Sequence, residues 1–563
     1  MIPKPDLQWL AIGPELITAV GAMLVLLIGL GKGARARAAV LVLSLLTLVI
    51  ALVFTIARFH VTTYGAFNGQ VDSDELANVG RIIVISCALI AMVFGARGRA
   101  NDGRHGEFHA LMLAATCGMG LFVAAGSFVS LFVGLELFSI ALYVLCALDA
   151  ERAASLEAGL KYLILGGLSS AILLYGTALV YGATGTFDIA GVADVAHRGA
   201  LVWTGAALVL GGLAFKVSAA PMHWWSPDVY EGAGTPVTAF MSTATKSVAF
   251  LVLARVLTTA FAPEADAWVP IVAGIAVTSI VVGNIGALMQ TSLKRLLGYS
   301  SIAQAGYLLV GFVGWQGSGI PALVYALIVY SAMTLGAFAY VLVLERELGR
   351  EATLADLAGR GWIPEGRSLL VALPAFGMAL CALSLAGIPP TAGFFSKFAL
   401  FGAAVDNGYA WLALVAVLGS VVSLAYYLRI LVELYMHQPD PVRAAAFAES
   451  LPAGSVAVDE DGDPRDAVMS GEPSHAVPAT PVRTPGRAPV IAAVGVLLAA
   501  ATLVLAFVPK PVLNIGCDAK AALLDVGSSC TDHEAATSSS TAPPAPTATD
   551  TPAASAEEVA PVE

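Results

Sequence analysis

AAVLVLSLLTLVIALVFTIARF, residues 38–59, contains no charged residue before Arg58. A helix needs about 20 apolar residues to cross a hydrocarbon core. The apolar positions here are continuous rather than alternating. They therefore fit a lipid-facing helix and not the two-residue period of a barrel strand. Reading outward from this run, comparable segments predict fourteen spans, at 9–30, 38–59, 81–97, 108–125, 127–148, 157–183, 200–220, 236–261, 268–290, 295–315, 319–345, 368–403, 409–437 and 489–508. The twelfth is too long for one plain span and holds Pro389-Pro390, so a broken helix is expected there. Composition agrees: the 563-residue chain is 58% hydrophobic and 12% charged, with a mean hydropathy of +0.81. A soluble domain carries roughly 25% charged residues. The expected fold class is an all-α polytopic bundle in a lipid bilayer, with no nucleic-acid partner.

The net charge of −11 resides mainly in one region. From Pro439 onward there are 16 acidic against 6 basic residues, which leaves the membrane body near neutral. Residues 438–488 read as an acidic, Pro/Ala-rich cytoplasmic loop between a bundle at 1–437 and a last helix at 489–510. Residues 511–563 read as a disordered external tail. The first apolar run is followed rather than preceded by its basic cluster, so it reads as a retained helix with an outside N-terminus. The alternate loops then fall in the cytoplasm with Lys32, Arg35, Arg37, Arg97, Arg99, Arg104, Arg152, Lys294, Arg295, Arg346, Arg350, Arg360 and Arg367. The opposite loops hold few basic residues (Arg58, Arg81, Arg198) and the acids Asp72, Asp74 and Glu75. This bias follows the positive-inside rule and puts both termini outside. Cys87, Cys117, Cys146 and Cys381 read as core residues. Cys517 and Cys530, in the outside tail, are candidates for a disulfide.

Four charges interrupt otherwise apolar spans. An ionisable group at the bilayer centre costs about 2.5–3.5 kcal/mol on insertion scales, so each needs a partner, a cavity or a task. Glu136 stands in Phe132-Val133-Gly134-Leu135-Glu136-Leu137-Phe138, and no basic residue of that helix can pair with it. Lys216 precedes Pro221, where the helix is expected to open. Lys246 lies well inside the eighth span. Lys397 follows Pro389-Pro390 and Gly393. A function in proton transfer competes with a structural ion pair for Glu136 and with snorkelling for the lysines. Broken helices in a pseudo-symmetric pair are a transporter signature. Weaker candidates are Lys161, four residues after Glu157; Lys294 and Arg295 at a helix start; Arg429 and Glu433, again spaced i,i+4; and His223 beside Trp224-Trp225. An i,i+4 pair or interfacial anchoring accounts for these as readily as proton relay or uptake.

Several motifs carry a family resemblance: Gly134-Leu135-Glu136-Leu137-Phe138-Ser139; Phe215-Lys216 through Pro221-Met222-His223-Trp224-Trp225-Ser226-Pro227-Asp228-Val229-Tyr230; Leu293-Lys294-Arg295-Leu296-Leu297-Gly298-Tyr299-Ser300-Ser301-Ile302; and Leu385-Ala386-Gly387-Ile388-Pro389-Pro390 through Phe394-Phe395-Ser396-Lys397. Together they resemble the antiporter-like subunit N family of bacterial respiratory complex I, the proton-pumping NADH–quinone oxidoreductase. The resemblance covers residues from about 10 to 437 and, more loosely, the last helix. It implies fourteen helices with two inverted five-helix repeats (helices four to eight and nine to thirteen) and broken helices seven and twelve. It also implies relay roles for Glu136, Lys216, Lys246 and Lys397. NADH, FMN, iron–sulfur clusters and quinone would belong to other subunits, with neighbouring antiporter-like and small membrane subunits as partners in a bacterial plasma membrane. Gln304 stands where relatives often carry histidine, and the 438–488 loop and long tail depart from the usual pattern. A multi-subunit cation/proton antiporter shares these motifs and is the alternative; a scaffold whose charges only pair is another.

Overall fold

The computed structural model describes residues 7–31, 33–96, 104–195, 199–362, 372–437 and 489–524. Within them the chain is a helical bundle: α1 (Gly13–Gly29), α2 (Ala34–Ala57), α3 (Glu75–Gly95), α4 (His105–Val123), α5 (Phe128–Cys146), α6 (Ala153–Thr184), α7 (Ala200–Lys216), α8 (Trp225–Gly232), α9 (Thr235–Ala260), α10 (Ala265–Leu288), α11 (Leu293–Leu309), α12 (Gly319–Leu348), α13 (Leu373–Ala386), α14 (Ala392–Asp406), α15 (Ala410–Tyr435), α16 (Pro489–Phe507) and α17 (Pro509–Leu524). A small hairpin, β1 (Thr63–Gly65) with β2 (Val71–Ser73), lies between α2 and α3. Twelve helices among the described residues are long and apolar enough to cross a membrane. The apolar α7 and α13 are shorter because each is one half of an interrupted span. Burial sorts centre from perimeter. The membrane-length windows of α9 and α11 are 100% and 94% buried, whereas those of α2 and α16 are only 33% and 28% buried, so the latter lie on the perimeter.

Both interruptions occur where the sequence led us to expect them. After α7, Ser218 takes φ +58° and Pro221 has no N–H to continue the ladder. The Phe215 carbonyl accepts from the Ser218 N–H at 3.0 Å and from the Trp225 indole N–H at 2.9 Å, and the Ala220 N–H reaches Ser279 Oγ at 2.8 Å. α13 ends on Gly387, whose φ of +84° suits glycine. α14 then packs back so tightly that a Cβ on Gly393 would lie 1.7 Å from the Ser384 carbonyl oxygen.

Four details differ from the sequence reading. α3 starts at Glu75, six positions before the predicted span, because Asp74 caps it by accepting from the Ala77 N–H at 2.8 Å. Arg81 is thus not a loop residue but is buried inside α3, paired with Glu15 at 2.7 Å. Residues 509–524 of the tail form α17, which packs on α12; its Lys520 donates to the carbonyls of Gln316 and Gly317. Arg429 and Glu433 do not pair: Arg429 donates to the Leu288 carbonyl and Glu433 meets His437. Cys87, Cys117, Cys146 and Cys381 are buried free thiols, and Cys517 is disulfide-bonded. Lys32, Arg97, Arg99, Arg198, Arg367, Cys530, the 438–488 loop and the tail beyond 524 lie outside the described residues.

Candidate proton-transfer site

Lys216 ends α7 and is buried. Its Nζ donates to Ser139 Oγ at 2.7 Å, one helical turn after Glu136 on α5. Rings surround it, with the centroids of Phe138, Tyr143, Tyr162 and Phe215 5.4–5.9 Å from Nζ. Such faces attract a cation without supplying a counter-charge. Trp225 closes this cage by stacking on Tyr162. Trp224 alone is exposed, so the expected interfacial tryptophan pair divides between surface and site. Glu136 is half-buried, acts electrostatically on Lys216, and leaves one buried carboxylate oxygen without a hydrogen-bond partner. His223 lies half-buried in the break, its carbonyl accepting from the Ser226 N–H.

Lys246 lies on α9 directly after a π-helical turn, Met241–Thr245, a distortion frequent at functional sites. Its Nζ donates to the Ser301 carbonyl at 2.6 Å and to the Ser301 hydroxyl, which also accepts from Tyr330. Lys397 on α14 donates to the carbonyls of Leu385 and Ala386, both at 3.1 Å, and sits 4.5 Å from the Tyr307 ring centroid. Those carbonyls belong to the last turn of α13, where no intrahelical N–H follows to occupy them.

Between the two lysines runs a series of neutral groups. Ser300, next to Ser301, shares a 2.5 Å hydrogen bond with the Tyr427 hydroxyl. Gln304 donates to Tyr427 at 3.5 Å and to the Leu385 carbonyl at 3.0 Å, the same oxygen that holds Lys397. Sequence reasoning found the lysines but not Ser139, Ser301 or Tyr427. Their only signal was polarity at positions facing a buried lysine, visible once helix faces are known.

The weaker candidates form a polar layer at one end of the bundle. Lys161 pairs with Glu157 at 2.7 Å, as its spacing predicted, and with Asp228 at 2.8 Å. Arg295 bridges Asp228 and Glu231, while Lys294 meets Glu351 and Glu345. In the adjoining loop Arg350 pairs with Asp356 at 2.6 Å. Burial by itself would raise the Asp356 carboxyl, but hydrogen bonds from Arg350 and Thr353 outweigh it and hold the group below the usual carboxylate range. No group of His, Cys, Asp and Glu suited to a metal occurs among the described residues.

Residues 125–423 match the family described as NADH:quinone oxidoreductase/Mrp antiporter, TM. The chain belongs to this family. The family match includes Glu136, Lys216, Lys246, Lys397 and Tyr427's neighbour Ser423 but stops short of Tyr427 itself. A protein of Trichlorobacter lovleyi named NADH-quinone oxidoreductase subunit N is 41% identical over 380 residues, covering 66% of this chain and 77% of that protein. One of the same name from Granulibacter bethesdensis is 40% identical over 445 residues, covering 76% and 90%. Among solved structures, a chain of respiratory complex I from Thermus thermophilus with bound aureothin is similar at a TM-score of 0.68 and 31% identity, over 89% of this chain and 98% of that one. A chain of the Mrp complex from Dietzia sp. shares the fold at a TM-score of 0.75 and 24% identity, over 92% and 98%.

Proposed function

We propose that the chain is a proton-translocating membrane subunit of an NADH–quinone oxidoreductase, of the kind its relatives' name subunit N denotes, and carries one proton route. Two hydrogen-bonded pieces carry the reading, Lys246 with Ser301, and Ser300 through Tyr427 and Gln304 to the Leu385 carbonyl that also holds Lys397, brought side by side where Ser300 and Ser301 adjoin in α11. The groups between the lysines are neutral hydroxyls, an amide and a carbonyl, so no fixed counter-charge traps a proton there. Glu136 sets the other end. When its carboxylate is near, the ammonium form of Lys216 is favoured; drawing the carboxylate away favours release. The proton then moves through Lys246 to Lys397.

In this reading the chain holds no redox chemistry of its own, and NADH, FMN, iron–sulfur clusters and quinone act on other subunits. The half-burial of Glu136, beside the exposed apolar Val133, Leu137 and Ile140, supports a neighbouring membrane subunit against α5. The two broken spans support a pair of inverted repeats. The basic loop residues support a cytoplasmic position for the Lys294–Glu351 end, in a bacterial plasma membrane, with both termini outside. The Mrp-like fold favours one second reading, a subunit of a multi-subunit cation/proton antiporter. Purifying the intact complex and identifying its chains by mass spectrometry separates the two: redox subunits support the first reading, and only small membrane subunits support the second. Lys216→Ala and Lys246→Ala should each lower NADH-driven proton pumping in the assembled complex. Full assembly with unchanged pumping would sink the transport reading.

A further inference from the structure

We propose that Glu345, near the C-terminal end of α12, is the carboxylate through which this chain takes up protons bound for Lys246. The inference rests on the transport reading above and adds an intake group that the four relay residues do not include.

Glu345 is positioned between solvent and the start of the Lys246 helix. One carboxylate oxygen accepts from the hydroxyl of Thr235, the first residue of α9. The other lies 3.8 Å from Lys294 Nζ and is buried without a hydrogen-bond partner. Glu345 is 14% exposed and is joined to the wetter Glu351 by the buried Lys294. Lys294 (2% exposed) also meets Glu351 (39% exposed) at 3.2 Å, and Glu351 is shared with Arg152. This arrangement lets Glu345 change charge cheaply. Two cations, Lys294 and Arg152, face two carboxylates. If Glu345 takes a proton, Lys294 still has Glu351 and the Ala233 carbonyl at 3.1 Å, so no buried cation is orphaned.

A row of hydroxyls leads inward. Thr235, Thr238 and Ser242 follow one another at spacings of three and four residues, which keeps them on one face of α9, and Lys246 comes four residues later, after the π-helical turn; the Thr238 and Ser242 hydroxyls donate to the carbonyls of Tyr230 and Ala239. All four are buried. The row covers roughly 16 Å at 1.5 Å per residue, and a hydroxyl both accepts and donates. The step conserves charge and atoms. The Glu345 carboxylate binds a proton from the solvent side and returns to carboxylate as a proton passes by way of the Thr235 hydroxyl towards neutral Lys246.

A purely structural Glu345 would clamp the start of α9 through Thr235 and help neutralise Lys294; Glu345→Gln keeps the Thr235 acceptor and leaves Lys294 its Glu351 partner while removing the titratable group. The test uses the whole complex reconstituted in vesicles, with protons moved per NADH oxidised measured for wild type, Glu345→Gln, Glu345→Asp, Thr235→Val and Lys246→Ala. The expected result is that Glu345→Gln lowers the ratio to the level of Lys246→Ala, that Glu345→Asp recovers at least half of the loss, and that Thr235→Val also lowers it. An unchanged ratio in Glu345→Gln, alongside a lowered one in Lys246→Ala, overturns the proposal and leaves the transport reading standing. An unchanged ratio in Lys246→Ala overturns that reading itself. Should Glu345→Gln fail to assemble, Thr235→Val decides: a lowered ratio supports the intake route and an unchanged one overturns it.

Discussion

Replacing Tyr427 with phenylalanine deletes one oxygen at the centre of the Lys246–Lys397 series and leaves the ring in place. Tyr427 is buried, and its hydroxyl joins Ser300 at 2.5 Å to Gln304 at 3.5 Å. Without it Gln304 keeps its bond to the Leu385 carbonyl, but Ser300 loses the one side-chain partner it has among the described residues. A buried polar group left unsatisfied costs about 1–3 kcal/mol. If a proton moves by exchanging hydrogen bonds along this series, a barrier raised by that amount slows transfer about 5- to 150-fold. The same loss is small against the packing of the whole bundle, so assembly should survive. The assay is NADH-driven acidification of vesicles carrying the complete complex, read against NADH oxidation in the same sample. Lys397→Ala serves as the reference for a blocked route. An assembled Tyr427→Phe complex that moves as many protons per NADH as wild type would refute the hydrogen-bonded series as the path.

Other outcomes follow from individual contacts. Gly393→Ala places a Cβ 1.7 Å from the Ser384 oxygen and must separate α13 from α14 by more than an ångström, so the Lys397 contacts to Leu385 and Ala386 should open. Overpacking of this kind costs about 1–3 kcal/mol or more, and both thermal stability and pumping of the complex should fall. Asp356, held below the usual carboxylate range, stabilises its loop fully above the unfolded value of about 4 and loses that contribution as pH falls through the lower folded value. Asp356→Asn should therefore speed amide exchange in residues 353–357 at pH 7, with the difference from wild type shrinking in acid. Removing Arg81 alone should cost about 3–5 kcal/mol by stranding buried Glu15, whereas an apolar pair at both positions should restore most of the melting temperature.

The spans and their two breaks were legible because each depends on residues close in sequence: an uninterrupted apolar run, a proline without an N–H, and a glycine where the backbone turns left-handed. The buried lysines were legible for the same reason, since a cation in such a run has no local explanation. Their partners were not. Ser139, Ser301 and Tyr427 are ordinary residues in helices, and only the fold brings Ser139 to Lys216, Ser301 to Lys246, and Tyr427 to Ser300 and Gln304. Arg81 misled in the opposite direction: its charge cut the third span short, when the pairing that permits its burial comes from Glu15, 66 positions away. α17 was missed because Pro509, Pro511 and a mixed composition resemble a coil. Contact with α12 stabilises it, as where Gly516 lies so near Pro321 that a Cβ would come within 2.7 Å of its Cα.

A charge inside the bundle is therefore not in itself a sign of transport; the charge of its partner is the better guide. Arg81 with Glu15 and Arg255 with Asp74 form close ion pairs at 2.7 and 2.8 Å. Taking the proton from either arginine, or adding one to either acid, would strand a buried opposite charge, so these pairs are fixed ties between α1, α3 and α9. Lys216, Lys246 and Lys397 differ. Among the described residues none forms a salt bridge; they are held by a serine hydroxyl, a serine hydroxyl with its carbonyl, and two helix-end carbonyls. These partners remain satisfied when the lysine becomes neutral, because an amine can still donate and a hydroxyl can turn to donate in return. Glu136 completes the distinction, since it acts electrostatically on Lys216 from a separate helix without forming a salt bridge to it.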